Sequence, residues 1–203
     1  MTQPTDSNQR PLQDKSILLT RPAGQSDGVG QTLERLGAKV TAHPVIQILP
    51  PDNFDELDDC LKRLSQFDWL VFVSPNAVRF FCERFGSQSP SHTGSGDSFS
   101  ELRKLKVAAI GSSTLEAWQT ESGEPNCTAD LIPAISNSES LGHELAKQAK
   151  GQRVLIPRVD RHSETLTDIL TQSGVEFEQP PTCLLYTSPS PRDATLSRMP
   201  SSA

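Results

Sequence analysis

Five consecutive apolar residues, Trp69-Leu-Val-Phe-Val73, run directly into Ser74-Pro75-Asn76 and then into a helical pattern. A run of this kind suits a strand buried on both faces, which requires covering layers above and below it. Ser74 is a good N-cap, and Pro75 fits the first helical position, where its missing N–H costs nothing. The strand therefore ends by delivering a helix N-terminus, with its N–H groups and partial positive charge available to a carboxylate or phosphate.

The same arrangement recurs along the chain. Ser16 to Thr20 reads as a first strand ending in Arg21-Pro22-Ala23-Gly24, and Val29, Leu33 and Leu36 follow at helical spacing before Gly37. Lys39–Pro44 and Val45–Leu49 read as extended segments, and Leu57, Leu61 and Leu64 mark another helix. After a Ser- and Gly-rich loop over residues 87–100, Lys106–Ile110 is a strand ending in Gly111-Ser112-Ser113-Thr114, with a helix through Trp118. Asp130–Ile132 reads as a short strand. Ser136-x-x-Glu139 has capping-box spacing ahead of Leu141, Leu145 and Ala149. Arg153–Ile156 is a strand ending at Pro157-Arg158, and Leu166, Ile169 and Leu170 mark its helix, stopped by Gly174 before a strand over Val175–Gln179. Strands alternating with helices predict an α/β fold with doubly wound parallel sheets and ligands at the strand carboxyl ends.

Composition narrows the ligand. The 203 residues carry a net charge of −6, which argues against non-specific nucleic-acid binding. A polyanion would have to be held by local dipoles and a few arginines. No Gly-x-Gly-x-x-Gly, Walker loop or nucleophile elbow supports a nucleotide cofactor. Cys60, Cys82, Cys127 and Cys183 are too scattered for a zinc site or disulfide framework, and read as thiols of a reducing cytoplasm. The polar residues 1–16 contain no apolar segment of a signal peptide, and no run approaches membrane-spanning length.

Several pieces in one order resemble uroporphyrinogen-III synthases. They are Leu18-Leu-Thr-Arg-Pro22, the Gln25–Gly37 helix, Pro44-Val-Ile-Gln-Ile48, Phe72-Val-Ser-Pro-Asn-Ala-Val78 and Val107-Ala-Ala-Ile-Gly-Ser-Ser-Thr114, then Ser140-Leu-Gly-His-Glu-Leu145 and Val154-Leu-Ile-Pro-Arg158 with Leu166 and Gly174. The resemblance spans residues 16–182. It implies two α/β lobes joined by extended linkers around a cleft: a leader at 1–15, a strand–helix–strand part of the first lobe at 16–45, a linker at 46–53 and a second lobe at 54–178. It implies closure of the linear tetrapyrrole hydroxymethylbilane, a substrate with eight carboxylates, with inversion of the last pyrrole ring and loss of water. No metal or organic cofactor, nucleic acid or membrane would take part, and the chain would work as a cytoplasmic monomer.

At Cys183 the resemblance stops, and a Ser- and Pro-rich stretch begins. Residues 179–203 then read as a linker remnant followed by a disordered tail similar to translated cloning or adapter sequence, which leaves the first lobe incomplete and predicts weak catalysis or none. Tyr186 sits three residues late for the family's tyrosine, and no helix pattern follows Thr187-Ser-Pro189, so neither receives a role.

The candidate substrate-binding residues are Arg21, Ser74, Asn76, Ser112, Ser113, Thr114, Arg158 and Arg161. Each has a plainer alternative. Arg21 can be a surface arginine at a turn, and Ser74, Asn76 and the 112–114 hydroxyls can serve helix capping alone. Arg158 and Arg161 flank Val159-Asp160, where the family shows Gly-rich text. No residue stands out as the general acid for the departing hydroxyl. His43, His92, His143 and His162 read as surface or loop residues, and Trp69 and Trp118 as packing. The alternative readings are a non-enzymatic two-lobed module for a small polyanion and a receiver-like domain; strand ends without clustered carboxylates count against the second.

Overall fold

The computed structural model describes residues 10–22, 27–88, 102–123, 127–159 and 164–187. Arg161, His92, His162, most of the 87–100 segment and the tail beyond residue 187 lie outside the described residues. The chain divides into two compact units, Met1–Ile48 with Leu185–Ala203, and Leu49–Leu184.

In the first unit, β1 (Ser16–Leu19) and β2 (Lys39–Ala42) are parallel, with Ser16 opposite Lys39 and Leu19 opposite Ala42. Helix α1 (Asp27–Arg35) connects them. Its packed face is set by Gly30, where an added Cβ would lie 3.5 Å from Leu19 Cδ1 and 3.9 Å from Val40 Cγ1. Val29 and Leu36 are exposed, so their spacing marks the helix but not the face that packs. Gly37 turns the chain at φ 100°, a conformation that favours glycine, while Ala38 N–H donates to Leu33 O. Strand β3 (Ile46–Leu49) follows, and the unit boundary falls within it.

The second unit runs α2 (Asp55–Lys62), β4 (Trp69–Phe72), α3 (Pro75–Gln88), β5 (Lys106–Ala109), α4 (Ser112–Glu121), α5 (Ser138–Gln148), β6 (Arg153–Leu155), β7 (Arg158–Val159), α6 (Thr165–Gln172), β8 (Glu176–Glu178) and β9 (Pro181–Thr187), whose last residues belong to the first unit. Four of these strands form an all-parallel sheet in the order β5-β4-β6-β8. All four residues of β4 are buried, and they alternate. Leu70 and Phe72 join a core with Leu57, Phe81 and Trp118 from α2, α3 and α4. Trp69 and Val71 join a second core with Leu141, Leu145, Leu166 and Leu170 from α5 and α6. Helices thus cover both faces of the sheet, as the unbroken apolar run requires. Trp69 and Trp118 are packing residues, with Trp69 Nε1–H donating to Gln152 Oε1 at 2.7 Å.

Elements without a clear period differ from the sequence reading. Leu64 belongs to a short 3-10 turn, Leu64–Gln66, beyond α2. The segment 130–132 contributes one isolated parallel bridge, Leu131 to Ala108. Asn137, not a Ser136–Glu139 box, caps α5, its side chain accepting from Ser140 N–H at 2.7 Å. A linker remnant was expected from residue 179, yet Pro181–Thr187 forms β9, parallel to β7, with Thr182 and Cys183 fully buried.

Candidate binding site at the strand carboxyl ends

The order β5-β4-β6-β8 fixes where a ligand belongs in the second unit. From β4 the chain passes through α3 to β5 on one side, then returns to β6 on the other. That reversal makes the carboxyl end of β4 a topological switch point, where open α/β sheets leave a crevice. Ser74-Pro75-Asn76 follows β4, Gly111-Ser112-Ser113 follows β5 and Pro157-Arg158 follows β6. Three of the candidate segments therefore share one edge of one sheet.

Their donors are not equivalent. At α3, Pro75 has no N–H, Ala77 N–H donates to Ser74 Oγ at 3.1 Å and Val78 N–H to Ser74 O at 3.3 Å. The bare N-terminus anticipated there is thus largely occupied, and Ser74 is a helix cap. At α4, Gly111 O accepts from both Thr114 N–H and Leu115 N–H at 3.1 Å, and no side chain caps the helix. The N–H groups of Ser112 and Ser113 have no acceptor among the described residues. Both residues are exposed, so their amides face solvent at the positive end of the helix dipole. Thr114 is 1% exposed, and its Oγ1 has no hydrogen-bond partner among the described residues. An unpaired buried hydroxyl is costly, which makes this helix start the most demanding part of the edge.

Gly111 itself is imposed by a neighbour. Its backbone is extended, open to any residue, but an added Cβ would lie 2.8 Å from Ser136 Oγ and 3.1 Å from Ser136 Cβ. Ser136 thereby joins the hydroxyls of Ser112 and Ser113 beside the helix start. Its position depends on a loop that no periodicity reveals.

Arg158 follows the end of β6 and is itself the first residue of β7. Its N–H donates to Pro180 O at 3.1 Å, its carbonyl accepts from Thr182 Oγ1 at 2.9 Å and its Nε donates to Gln179 O at 2.8 Å. The side chain is half-buried, with its Nε held by the Gln179 carbonyl two residues before β9. Gln179 and Thr182 are the positioning groups that sequence reasoning missed. Arg21 is exposed and belongs to the first unit. His43 and His143 are exposed, and among the described residues no three His, Cys, Asp or Glu side chains group as metal ligands.

A family model described as uroporphyrinogen-III synthase HemD matches residues 27–196, extending past Thr182, where the residue-by-residue resemblance ends. The chain is 33% identical over 167 residues to the uroporphyrinogen-III synthase of Synechococcus elongatus, covering 82% of this chain and 59% of that protein. It is 29% identical over 163 residues to the Escherichia coli uroporphyrinogen-III synthase, covering 79% and 61%. Among solved structures, a mutant uroporphyrinogen III synthase of Thermus thermophilus is similar in fold at TM-score 0.61 and 16% identity, with 86% of this chain and 64% of that one covered. The chain spans about three-fifths of the length of the two curated relatives named here.

Proposed function

The chain belongs to the uroporphyrinogen-III synthase family, and on that premise we propose that it closes hydroxymethylbilane to the macrocycle, inverting the last pyrrole ring and releasing water. The observation that carries this reading is the family match over residues 27–196. The edge described above supports it chemically. A substrate with eight carboxylates needs many anion contacts, and a chain of net charge −6 can supply them only locally. The Ser112 and Ser113 amides take one carboxylate at the α4 dipole, worth about 0.3–1 kcal/mol when exposed and more when partly buried. Thr114 Oγ1 gains the partner it lacks, Arg158 and Arg161 offer guanidinium charge, and Asn76 adds a polar contact; on the first unit, Arg21 offers a carboxylate contact of its own. Ser74 acts by capping α3.

Catalysis on this reading is chiefly positional. Holding a flexible tetrapyrrole in one folded pose brings the reacting carbon and the terminal ring together, and aligned intramolecular reactions gain on the order of 7–11 kcal/mol. Loss of the hydroxyl creates a cationic azafulvene, and no residue of the chain stands out as the general acid for that departure. We infer a cytoplasmic monomer from the family resemblance alone.

The test is to supply the purified chain with freshly generated hydroxymethylbilane and separate the oxidised porphyrin isomers. Inverted isomer only weakly above the uncatalysed background, far below the rate of a full-length relative, is the expected result, and a product mixture identical to the background even at high protein concentration, with no binding of the substrate, would sink the proposal. Ser112→Pro removes one amide donor at a position where proline suits both the helix and the extended Gly111 before it. It should weaken substrate binding roughly two- to five-fold, the counterpart of one helix-terminus contact, while Ser112→Ala should not.

A further inference from the structure

The segment that follows Asp130 reaches the same sheet edge as the start of α4. Leu131 makes a parallel bridge to Ala108, its N–H donating to Val107 O at 3.2 Å and its carbonyl accepting from Ala109 N–H at 3.0 Å. The chain therefore runs on beside the end of β5 and leaves the sheet at the carboxyl edge. Leu131 and Pro133 are buried and anchor one side of the loop. Asn137 anchors the other, capping α5 through its side chain and donating its N–H to Ile135 O at 2.8 Å. Ser136 abuts Gly111, filling the space that an added Gly111 Cβ would need. Held at both ends, the loop presents Ile132 and Ile135 to solvent, 40% and 65% exposed. Ile135 is the most exposed large apolar side chain among the described residues.

A single exposed isoleucine is ordinary on a protein surface. Two within four residues, on an anchored loop that touches the turn before Ser112, are placed beside a polar site. Ile135 is one residue from the Ser136–Gly111 contact on one side, and Ser112 is one residue from it on the other. An apolar side chain and the solvent-facing amides of Ser112 and Ser113 are thus brought to one junction. Nearby charge is sparse. The only charged side chain between Leu131 and Ser140 is Glu139, exposed on the first turn of α5, and the Asp130 carboxylate accepts from Val107 N–H at 2.8 Å. An apolar ring with acidic arms matches this pairing, and the proposed substrate is a string of such rings. We propose, resting on the tetrapyrrole reading above, that Ile135 is a specificity-determining residue: one pyrrole ring packs on it and on Ile132 while a carboxylate of that ring meets the Ser112 and Ser113 amides. The two halves of this grip differ in kind. Covering Ile135 removes apolar surface from water, whereas the contact at the helix terminus is screened by salt.

The experiment is calorimetric titration of the full chain with uroporphyrinogen III, an octacarboxylate tetrapyrrole, kept reduced and free of oxygen. Ile135→Ser should weaken binding about fivefold, a part of what full burial of an isoleucine is worth. The factor should be the same at low and high salt. Ile135→Leu should bind like the parent, and neither variant should change the melting temperature, because the side chain is exposed. Ser112→Pro should also weaken binding, but its loss should shrink as salt rises. If the parent binds and Ile135→Ser binds equally well, or if its loss vanishes at high salt, the role of Ile135 is overturned while the tetrapyrrole reading stands. If the parent does not bind uroporphyrinogen III at all, both fall together.

Discussion

Arg63, just past the end of α2, grips Glu178 at the end of β8 with both terminal nitrogens, Nη1 to Oε1 at 2.9 Å and Nη2 to Oε2 at 2.7 Å. Arg153 Nη2 adds a third contact to Oε1 at 2.9 Å, and the Cys60 thiol lies 3.5 Å from Oε2. The hydrogen bonds from Arg63 hold the Glu178 carboxyl below its ordinary value of 4.5, against the opposing effect of burial. The pair ties an early helix to a late strand of the second unit.

A lowered folded-state pKa means that Glu178 contributes stability above its ordinary value and loses that contribution as pH falls through the lower folded value. Asp58, lowered chiefly by its hydrogen bonds from Arg84, adds to the same acid dependence. Both side chains of the Glu178 pair are about one-third exposed, which screens the effect. Glu178→Gln should therefore melt a few degrees below the parent at neutral pH and converge with it in acid. Thermal melts of both proteins from pH 2 to pH 7 decide this, and a constant offset across the range would contradict it.

Phe72 is the structural centre of one core. It is fully buried and meets the Phe81 ring edge-on at 5.5 Å and the Trp118 ring at 5.2 Å. Phe72→Ala should cost about 3–5 kcal/mol, the loss of transfer energy plus the cavity left behind. Urea denaturation of the second unit measures it. A loss under about 1 kcal/mol would mean that the two sheet faces are not packed as described.

Burial pushes the Cys60 and Cys82 thiols up to about 12, with Glu178 adding to the effect at Cys60. Burial also raises Cys183. Thiolate is the reacting species, so none of the three should react readily at pH 8. Of the four cysteines, Cys127 alone is partly exposed. A thiol reagent at pH 8 should label Cys127 first in the native chain and all four after unfolding, as peptide mass spectrometry would record.

How much of this was legible in the sequence depended on the length and burial of each element. Trp69–Val73 is apolar because both faces of β4 are covered, and that burial leaves an unmistakable run in the sequence. Ser74 and Pro75 then announce α3 through local capping chemistry alone. By contrast, β7 has two residues, too few to carry any period, so Arg158 read only as following a strand end, although Pro180 O and Thr182 Oγ1 hold its backbone beside β9. Strand β9 was hidden for another reason. Thr182 and Cys183 are buried by partners distant in sequence, and their own neighbours, prolines and a threonine, favour no single conformation. At the site, the Gly-Ser-Ser-Thr turn could be read as a helix start, but whether capping consumed its amides could not. That difference between α3 and α4 arises from which side chain reaches which N–H, a matter of tertiary geometry.

The contact between Gly111 and Ser136 leads to a prediction that separates shape from chemistry at the α4 start. An alanine Cβ at Gly111 would meet Ser136 Oγ at 2.8 Å and Ser136 Cβ at 3.1 Å, closer than a relaxed packing allows. Either the 132–137 loop moves away or the helix start does, and both outcomes displace the Ser112 and Ser113 amides from the hydroxyl beside them. Backbone strain plays no part, since the Gly111 φ of −175° is accessible to alanine. Gly111→Ala should therefore weaken binding of an octacarboxylate tetrapyrrole about tenfold with little change in melting temperature. Removing the obstructing side chain by Ser136→Gly in the same chain should restore most of the affinity. If affinity stays low in the double variant, the Ser136 hydroxyl is itself a ligand contact; if Gly111→Ala alone binds normally, the amides of α4 do not hold the substrate.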